Sequence, residues 1–192
     1  YTNSDIANGN YFLTGGAVRY RFSNRFTLST DVTRQHDDNQ IGYAFFREPG
    51  GEPVIGYRKN TEVTAVLTGI YNFTPRMNLN LRGRHYWNKV NYRSFFTVSA
   101  TGDHIPRTGP APDQDYNFNL FNVDAFITWD FRLGSRLIFG WKNWLADSYG
   151  TDISHRTFGE NFSHVFGLNH GNEFTLKLIY FIDYNQLARS SR

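Results

Sequence analysis

Cysteine is absent from this 192-residue chain and methionine occurs once. The first absence excludes a disulfide scaffold and any thiolate metal site. It fits an exported protein with nothing to oxidise, and equally the many cytosolic proteins that lack the residue. No stretch approaches the roughly 18 consecutive apolar residues of a spanning helix, which excludes a helical membrane protein only. Charge of one sign is missing too: the net charge is +3, and basic residues stand singly among acidic ones. Nucleic acid, which needs a basic run or stripe, is not an expected partner. There is no Gly-x-Ser-x-Gly elbow and no glycine-rich phosphate loop, and Gly15-Gly16 falls inside a strand pattern where it permits curvature or close packing. No secretory signal precedes Tyr1, so the expectation is that it has been removed or that the gene product starts earlier.

Aromatic residues, by contrast, make up 18% of the chain. Three times an aromatic residue, one spacer and Phe lead into a tight polar turn and a strand with apolar residues on alternate positions. The copies are Tyr20-Arg21-Phe22 before Ser23-Asn24-Arg25, Tyr71-Asn72-Phe73 before Thr74-Pro75-Arg76, and Trp129-Asp130-Phe131 before Arg132-Leu133-Gly134-Ser135. Aromatic feet at the turn end of successive hairpins are what a membrane barrel needs as an interfacial girdle. The expected periplasmic girdle is Tyr20, Phe22, Tyr71, Phe73, Trp129, Phe131, Tyr180 and Tyr184. The mean hydropathy of -0.53 does not contradict this, because barrel strands alternate lipid-facing and lumen-facing residues and the signal lies in the period.

Parity predicts seven strands, about Tyr11 to Phe22, Phe26 to Gln35, Thr61 to Phe73, Met77 to Val90, Phe118 to Phe131, Arg136 to Trp144 and Glu173 to Tyr184. Phe26, Leu28, Thr30 and Val32 against Thr27, Ser29, Asp31 and Thr33 is the cleanest alternation. The inward parity collects Arg19, Arg21, Asp31, Glu62, Arg82, Arg84, Asp124, Asp130, Lys177 and Asp183 as lumen-facing charges. Short turns at about 23–25, 74–76 and 132–135 alternate with long connections at about 36–60, 91–117 and 145–172. Short turns on one side and long loops on the other are the outer-membrane pattern, with the short side and the C-terminus in the periplasm.

The expected fold is therefore all-β: a single unit over 1–192, an antiparallel transmembrane β-barrel of outer-membrane type. Single-chain bacterial barrels have an even number of strands. Seven detectable strands imply a piece of a larger barrel, since an open sheet would leave two unpaired edges in lipid. Its partners are then outer-membrane lipid and lipopolysaccharide, together with the remaining N-terminal strands or other outer-membrane proteins.

Several segments carry a resemblance: Gly42-Tyr43-Ala44-Phe45-Phe46-Arg47-Glu48, Gly51-Glu52-Pro53-Val54-Ile55-Gly56-Tyr57-Arg58, Arg84-His85-Tyr86-Trp87, Val90-Asn91-Tyr92 and the ending Leu176 to Asn185. From the second strand to the end, the chain resembles the C-terminal barrel of a Bacteroidota family, domain of unknown function 5916. The resemblance implies an outer-membrane protein with an N-terminal sandwich similar to family 9 carbohydrate-binding modules, a part absent here. It implies no established activity.

Candidate chemistry is sparse. Five of the six histidines, His36, His104, His155, His164 and His170, lie in or beside the long connections. His36-Asp37-Asp38 and Asp103-His104 evoke a protease in which a His-Asp pair activates water at the rim. Adjacency supplies neither an orienting carboxylate nor a cleft, so polar loop residues are the better reading. The spacing of His164 and His170 suits no compact zinc site. No catalytic residue, metal or cofactor is assigned. Inward arginines would favour anions if they ring a wet channel, but the mixed signs point at least as well to mutual neutralisation. Phe45, Phe46, Tyr57, Tyr92, Phe95, Phe96 and Tyr116 either stack on a sugar or partner, or pack over the barrel mouth. Phe158 to Leu168 has near-helical apolar spacing and suggests a short amphipathic helix on the rim. The function expected is a membrane anchor or pore for a larger, glycan-handling protein. A solute channel and an outer-membrane hydrolase are the alternatives.

Overall fold

Period-two alternation interrupted by compact turns produces a meander of antiparallel strands. The computed structural model describes residues 11–46, 53–108, 113–146 and 156–182. The elements are β1 (Tyr11–Arg21), β2 (Phe26–Phe46), β3 (Pro53–Thr74), β4 (Met77–Val98), β5 (His104–Pro106), β6 (Tyr116–Arg132), β7 (Ser135–Ala146), α1 (Phe158–Val165) and β8 (His170–Ile179). They form one sheet of eight strands in the order β1-β2-β3-β4-β6-β7-β8, with the short β5 paired to β4. Every pairing is antiparallel. The described sheet is open, with β1 and β8 as its edges. Direction reverses at each step along seven long strands, so both edge strands run from the long-connection end toward the turns.

The turns are held by local chemistry. Ser23 Oγ accepts from the amides of Arg25 and Phe26 at 3.1 and 3.0 Å, and Thr74 Oγ1 accepts from the Arg76 amide at 3.1 Å. Hydroxyl acceptors of this kind favour turns over continued strand. Gly134 sits at φ 77, a conformation that side chains with a Cβ adopt only at a cost. Adjacent turns are stitched to one another, since Asn72 donates to the Arg25 carbonyl at 2.8 Å and Asp130 to the Arg76 carbonyl at 2.7 Å.

Away from the turns the strands are longer than the alternation suggests. β2 runs through Phe46 and β3 starts at Pro53, so much of 36–60 is hairpin and not loop. β4 continues to Val98 and β5 pairs with its far end, which places strand inside 91–117 as well. Register shifts between Asp37 and Gln40, between Tyr43 and Phe45, and between Tyr57 and Arg58 explain the misreading. An extra residue at a bulge resets the parity on which period-two reading depends. The 145–172 connection holds α1, as its apolar spacing suggests, and β8 begins at His170, earlier than the expected Glu173. β8 ends at Ile179, leaving Tyr180 just beyond the strand. Asp183, Tyr184 and His155 lie outside the described residues.

Apolar burial among the described residues is confined to the end remote from the turns. Val54, Trp87, Val90, Phe96, Leu145 and Val165 are the buried apolar residues. No helix among the described residues is long and apolar enough to cross a membrane, which says nothing about strands.

Candidate functional site

One face of the sheet carries most of its exposed apolar residues. Register aligns Tyr20, Leu28, Gly69, Leu81, Ala125, Trp141 and Phe174 in one row across all seven long strands. The next rows on the same face hold Val18, Leu67 and Val123 on one side, and Phe26, Tyr71, Leu79, Ile127, Phe139 and Leu176 on the other. Val18 is 64% exposed and Leu176 70%. Soluble monomers rarely leave so continuous an apolar surface in water. Leu13, Trp144 and Ile179 are exposed on the opposite parity, which is otherwise mainly polar.

The apolar band crosses the register rows obliquely. Its last apolar residue before polar ones begin is Phe174 on β8, in register with Gly69, whereas on β3 it is Val63, six residues further from the turns. Six residues are roughly 20 Å of strand, and the four inter-strand steps between β3 and β8 about 19 Å. A level band thus demands strands inclined at about 45°, close to the tilt of strands in membrane barrels.

At the turn end, aromatic rings meet in strings. Tyr20 contacts Phe22 at 4.7 Å, Phe22 stacks on Phe26 at 5.2 Å, Phe26 meets Tyr71 at 6.3 Å, and Tyr71 meets Phe73 at 5.0 Å. A second string joins Trp129, Phe131 and Tyr180 at 5.7 and 6.3 Å. Seven of the eight aromatics singled out in the sequence are therefore drawn together; Tyr184 is not described.

On the opposite face, register assembles charges that lie far apart in the sequence. Arg82 stands opposite Asp124, Asp124 opposite Lys142, and Lys142 opposite Glu173, with Lys142 Nζ 3.7 Å from a Glu173 oxygen. Signs alternate over four neighbouring strands. Arg19 belongs to the same row, beyond Ser29 and Thr68. The others are dispersed: Asp31 faces Ala17 and Val66, Arg84 lies between Val66 and Asn122, and Lys177 faces Ile138. Glu62 accepts from the Tyr86 hydroxyl at 3.0 Å. Arg21 bonds the Ser23 carbonyl and Asn24 Oδ1, and Asp130 takes a bidentate pair of bonds from Arg136 at 2.6 and 3.1 Å.

The histidines divide. His36 Nε2 is 3.2 Å from Asp38 Oδ1 and its Nδ1 2.9 Å from Thr61 Oγ1. Asp38 Oδ1 is also 3.2 Å from Arg93 and 4.0 Å from Lys59, which makes it the centre of a partly exposed ion cluster. His104 is engaged elsewhere: it stacks on Phe96 at 4.1 Å and shares a 2.8 Å hydrogen bond with the Tyr57 hydroxyl. Asp103 bonds Thr101 instead. Among the described residues no group of three His, Cys, Asp or Glu side chains could hold a metal ion. The aromatics of the far end pack on one another, Tyr92 on Phe95 at 5.5 Å and Phe45 on Phe95 at 5.7 Å, with Arg107 over the Phe45 ring.

A buried amide cluster fastens α1 to the apolar face just past the band. His85 Nε2 meets Asn119 Oδ1 at 2.7 Å, and Asn119 Nδ2 donates to the Asn161 carbonyl at 2.8 Å. Asn161 Nδ2 donates to Asn117 Oδ1 at 3.1 Å, and Asn117 Nδ2 to the Arg156 carbonyl at 2.9 Å. Asn117, Asn119 and Asn161 are fully buried. The helix starts at a capping box of Thr157 and Glu160, which satisfies its first free amides.

The DUF5916 pattern, a domain of unknown function, matches residues 2–191. This chain belongs to the DUF5916 family. Searches of curated proteins and of solved structures each found no match.

In this DUF5916 member the shared face of Arg19, Arg82 and Asp124 and the turn-end aromatics were legible in the sequence, while the places of Lys142 and Glu173 in the charged row and the asparagine cluster were not. Asn117 and Asn119 sit at the end of a strand, where isolated amides look like turn residues. Asn161 is inside a helix, where Asn is a weak choice. Their separation of over forty positions conceals the pairing.

Proposed function

We propose that this segment is part of an outer-membrane β-barrel that anchors a larger protein in the bilayer. The observation that carries the reading is the apolar band on seven strands, exposed on one face and oblique to the register. Lipid covers such a face without further protein, and the tilt inferred from the band is that of membrane barrels. The aromatic strings at the turns then lie at the periplasmic interface, and the longer far ends of β2, β3 and β4 extend beyond the bilayer, since about 9 to 11 residues suffice to cross it.

Both edges run in the same direction, so they cannot close on each other as antiparallel neighbours. An odd number of further strands completes the barrel, and they remove the several kcal/mol that each unpaired backbone group costs in lipid. The charge row on the other face becomes lumenal. Its alternating signs support a neutralised interior, and so an anchor over an anion-selective channel. Glycan handling by the larger protein rests on the family resemblance alone.

Reconstitution of the intact polypeptide in vesicles containing lipids brominated on their acyl chains tests the reading. Quenching of Trp129 and Trp141 fluorescence is the expected result, and unquenched tryptophans in a folded β-protein would overturn it. Planar-bilayer recording separates anchor from pore: steady conductance would favour the channel.

A further inference from the structure

Helix α1 has three sides. Asn161 and Val165 are buried against the sheet, while Glu160, Ser163 and His164 are polar and exposed. Between these sides runs a stripe of Phe158, Phe162 and Phe166, spaced by four, 37%, 43% and 53% exposed. So much exposed aromatic surface on one short helix requires a cover.

The contacts orient the stripe. Phe162 lies 5.2 Å from His85 and Phe166 5.3 Å from Phe121, and His85 and Phe121 are register partners. On the other flank Asn161 reaches Asn117, four residues further from the turns than Phe121. The stripe thus borders the band, and the asparagines and Lys89, the partner of Asn117, lie beyond it. Along β6 the band runs from Trp129 to Phe121, eight residues or roughly 27 Å of strand. At the tilt of about 45° that covers roughly 19 Å of depth, approaching the apolar height of about 25 Å in such barrels. The helix sits where the second interface falls.

We infer that α1 is an interfacial helix whose Phe158, Phe162 and Phe166 insert among acyl chains of the outer leaflet, making with Phe121 the girdle opposite the turns. This rests on the proposed membrane reading. Continuity with the band identifies the occupant, because the lipid that covers Val123 and Leu81 reaches the stripe without a gap. The chemistry is that of an interfacial amphipathic helix, apolar on one side and polar on the other, here tied to a rigid sheet by buried amides.

The chain holds no cysteine, so single introduced thiols can be nitroxide-labelled cleanly. Labels at Phe162→Cys, Phe166→Cys, Ser163→Cys and Leu176→Cys are compared in the intact protein reconstituted in phosphatidylethanolamine–phosphatidylglycerol vesicles, with folding of each variant checked by circular dichroism. Collision with oxygen relative to a water-soluble nickel complex is the readout. The expected ratio is highest at Leu176, lower at Phe162 and Phe166, and several-fold lower again at Ser163. A lipid-exposed Leu176 with labels at 162 and 166 as wet as Ser163 overturns the inference and leaves the anchor standing. Labels at 162 and 166 shielded from both reagents would mean a protein cover, which also overturns it. A water-exposed Leu176 overturns the membrane reading beneath.

Discussion

Asn119 of β6 donates to the backbone carbonyl of Asn161 in α1 at 2.8 Å, while its own oxygen is held by His85 of β4 at 2.7 Å. One side chain thereby joins two strands and a helix in a site closed to water. Replacing Asn119 by Ala strips partners from both neighbours, and an unsatisfied buried group costs about 1–3 kcal/mol. The variant is expected to lose stability of that order in urea titration and to become sensitive to proteolysis around α1. An unchanged midpoint would mean that the helix is held by its apolar contacts alone.

Leu176→Arg separates lipid from water on the apolar face. At 70% exposure, a substitution in water falls within about 0.5 kcal/mol of neutral. At the middle of a bilayer an arginine costs about 2–4 kcal/mol. Failure of the variant to assemble in vesicles is expected, and assembly equal to the parent would count against lipid contact.

Asp124→Asn removes the anion between Arg82 and Lys142. Two cross-strand charge pairs of roughly 0.2–1 kcal/mol each are lost and two cations are left two strands apart. A drop of about 1 kcal/mol in unfolding free energy is expected by denaturant titration in vesicles. An unchanged value would show that water already screens the row, as in an open channel.

Gly134→Ala tests the tightest turn. The new Cβ would stand at φ 77 and 2.8 Å from Cβ of Phe181. Left-handed backbone costs a residue with a side chain about 1–2 kcal/mol, and the Phe181 contact must also yield. A loss of at least that size is expected in thermal or urea unfolding, with Gly16→Ala, whose added Cβ meets nothing within 4 Å, as the milder control.

Much of this arrangement was legible in the residues. Seven long strands, three tight turns and the sharing of a face by Phe26, Leu28 and Val32 follow from alternation and turn chemistry. The helix at Phe158 announced itself by its spacing. The far ends of β2, β3 and β4 did not, because bulges near Asp38 and Arg93 break the period where the strands leave the band. The His36 and Asp38 pair was also adjacent in sequence, yet its engagement by Arg93, 55 positions away, depends on the folded sheet.

Between the turns and the first bulges, face membership was the sequence's own decision, since in an unbroken strand the direction of a side chain depends only on whether its position is odd or even. Turn placement was local in the same way, set by Ser23, Thr74 and Gly134. Which residue stands beside which was decided by tertiary structure. The alternating row of Arg82, Asp124, Lys142 and Glu173, and the seat of α1 on Asn117 and Asn119, arise from register between distant segments. No local rule encodes that register; the packing of whole strands against their neighbours selects it.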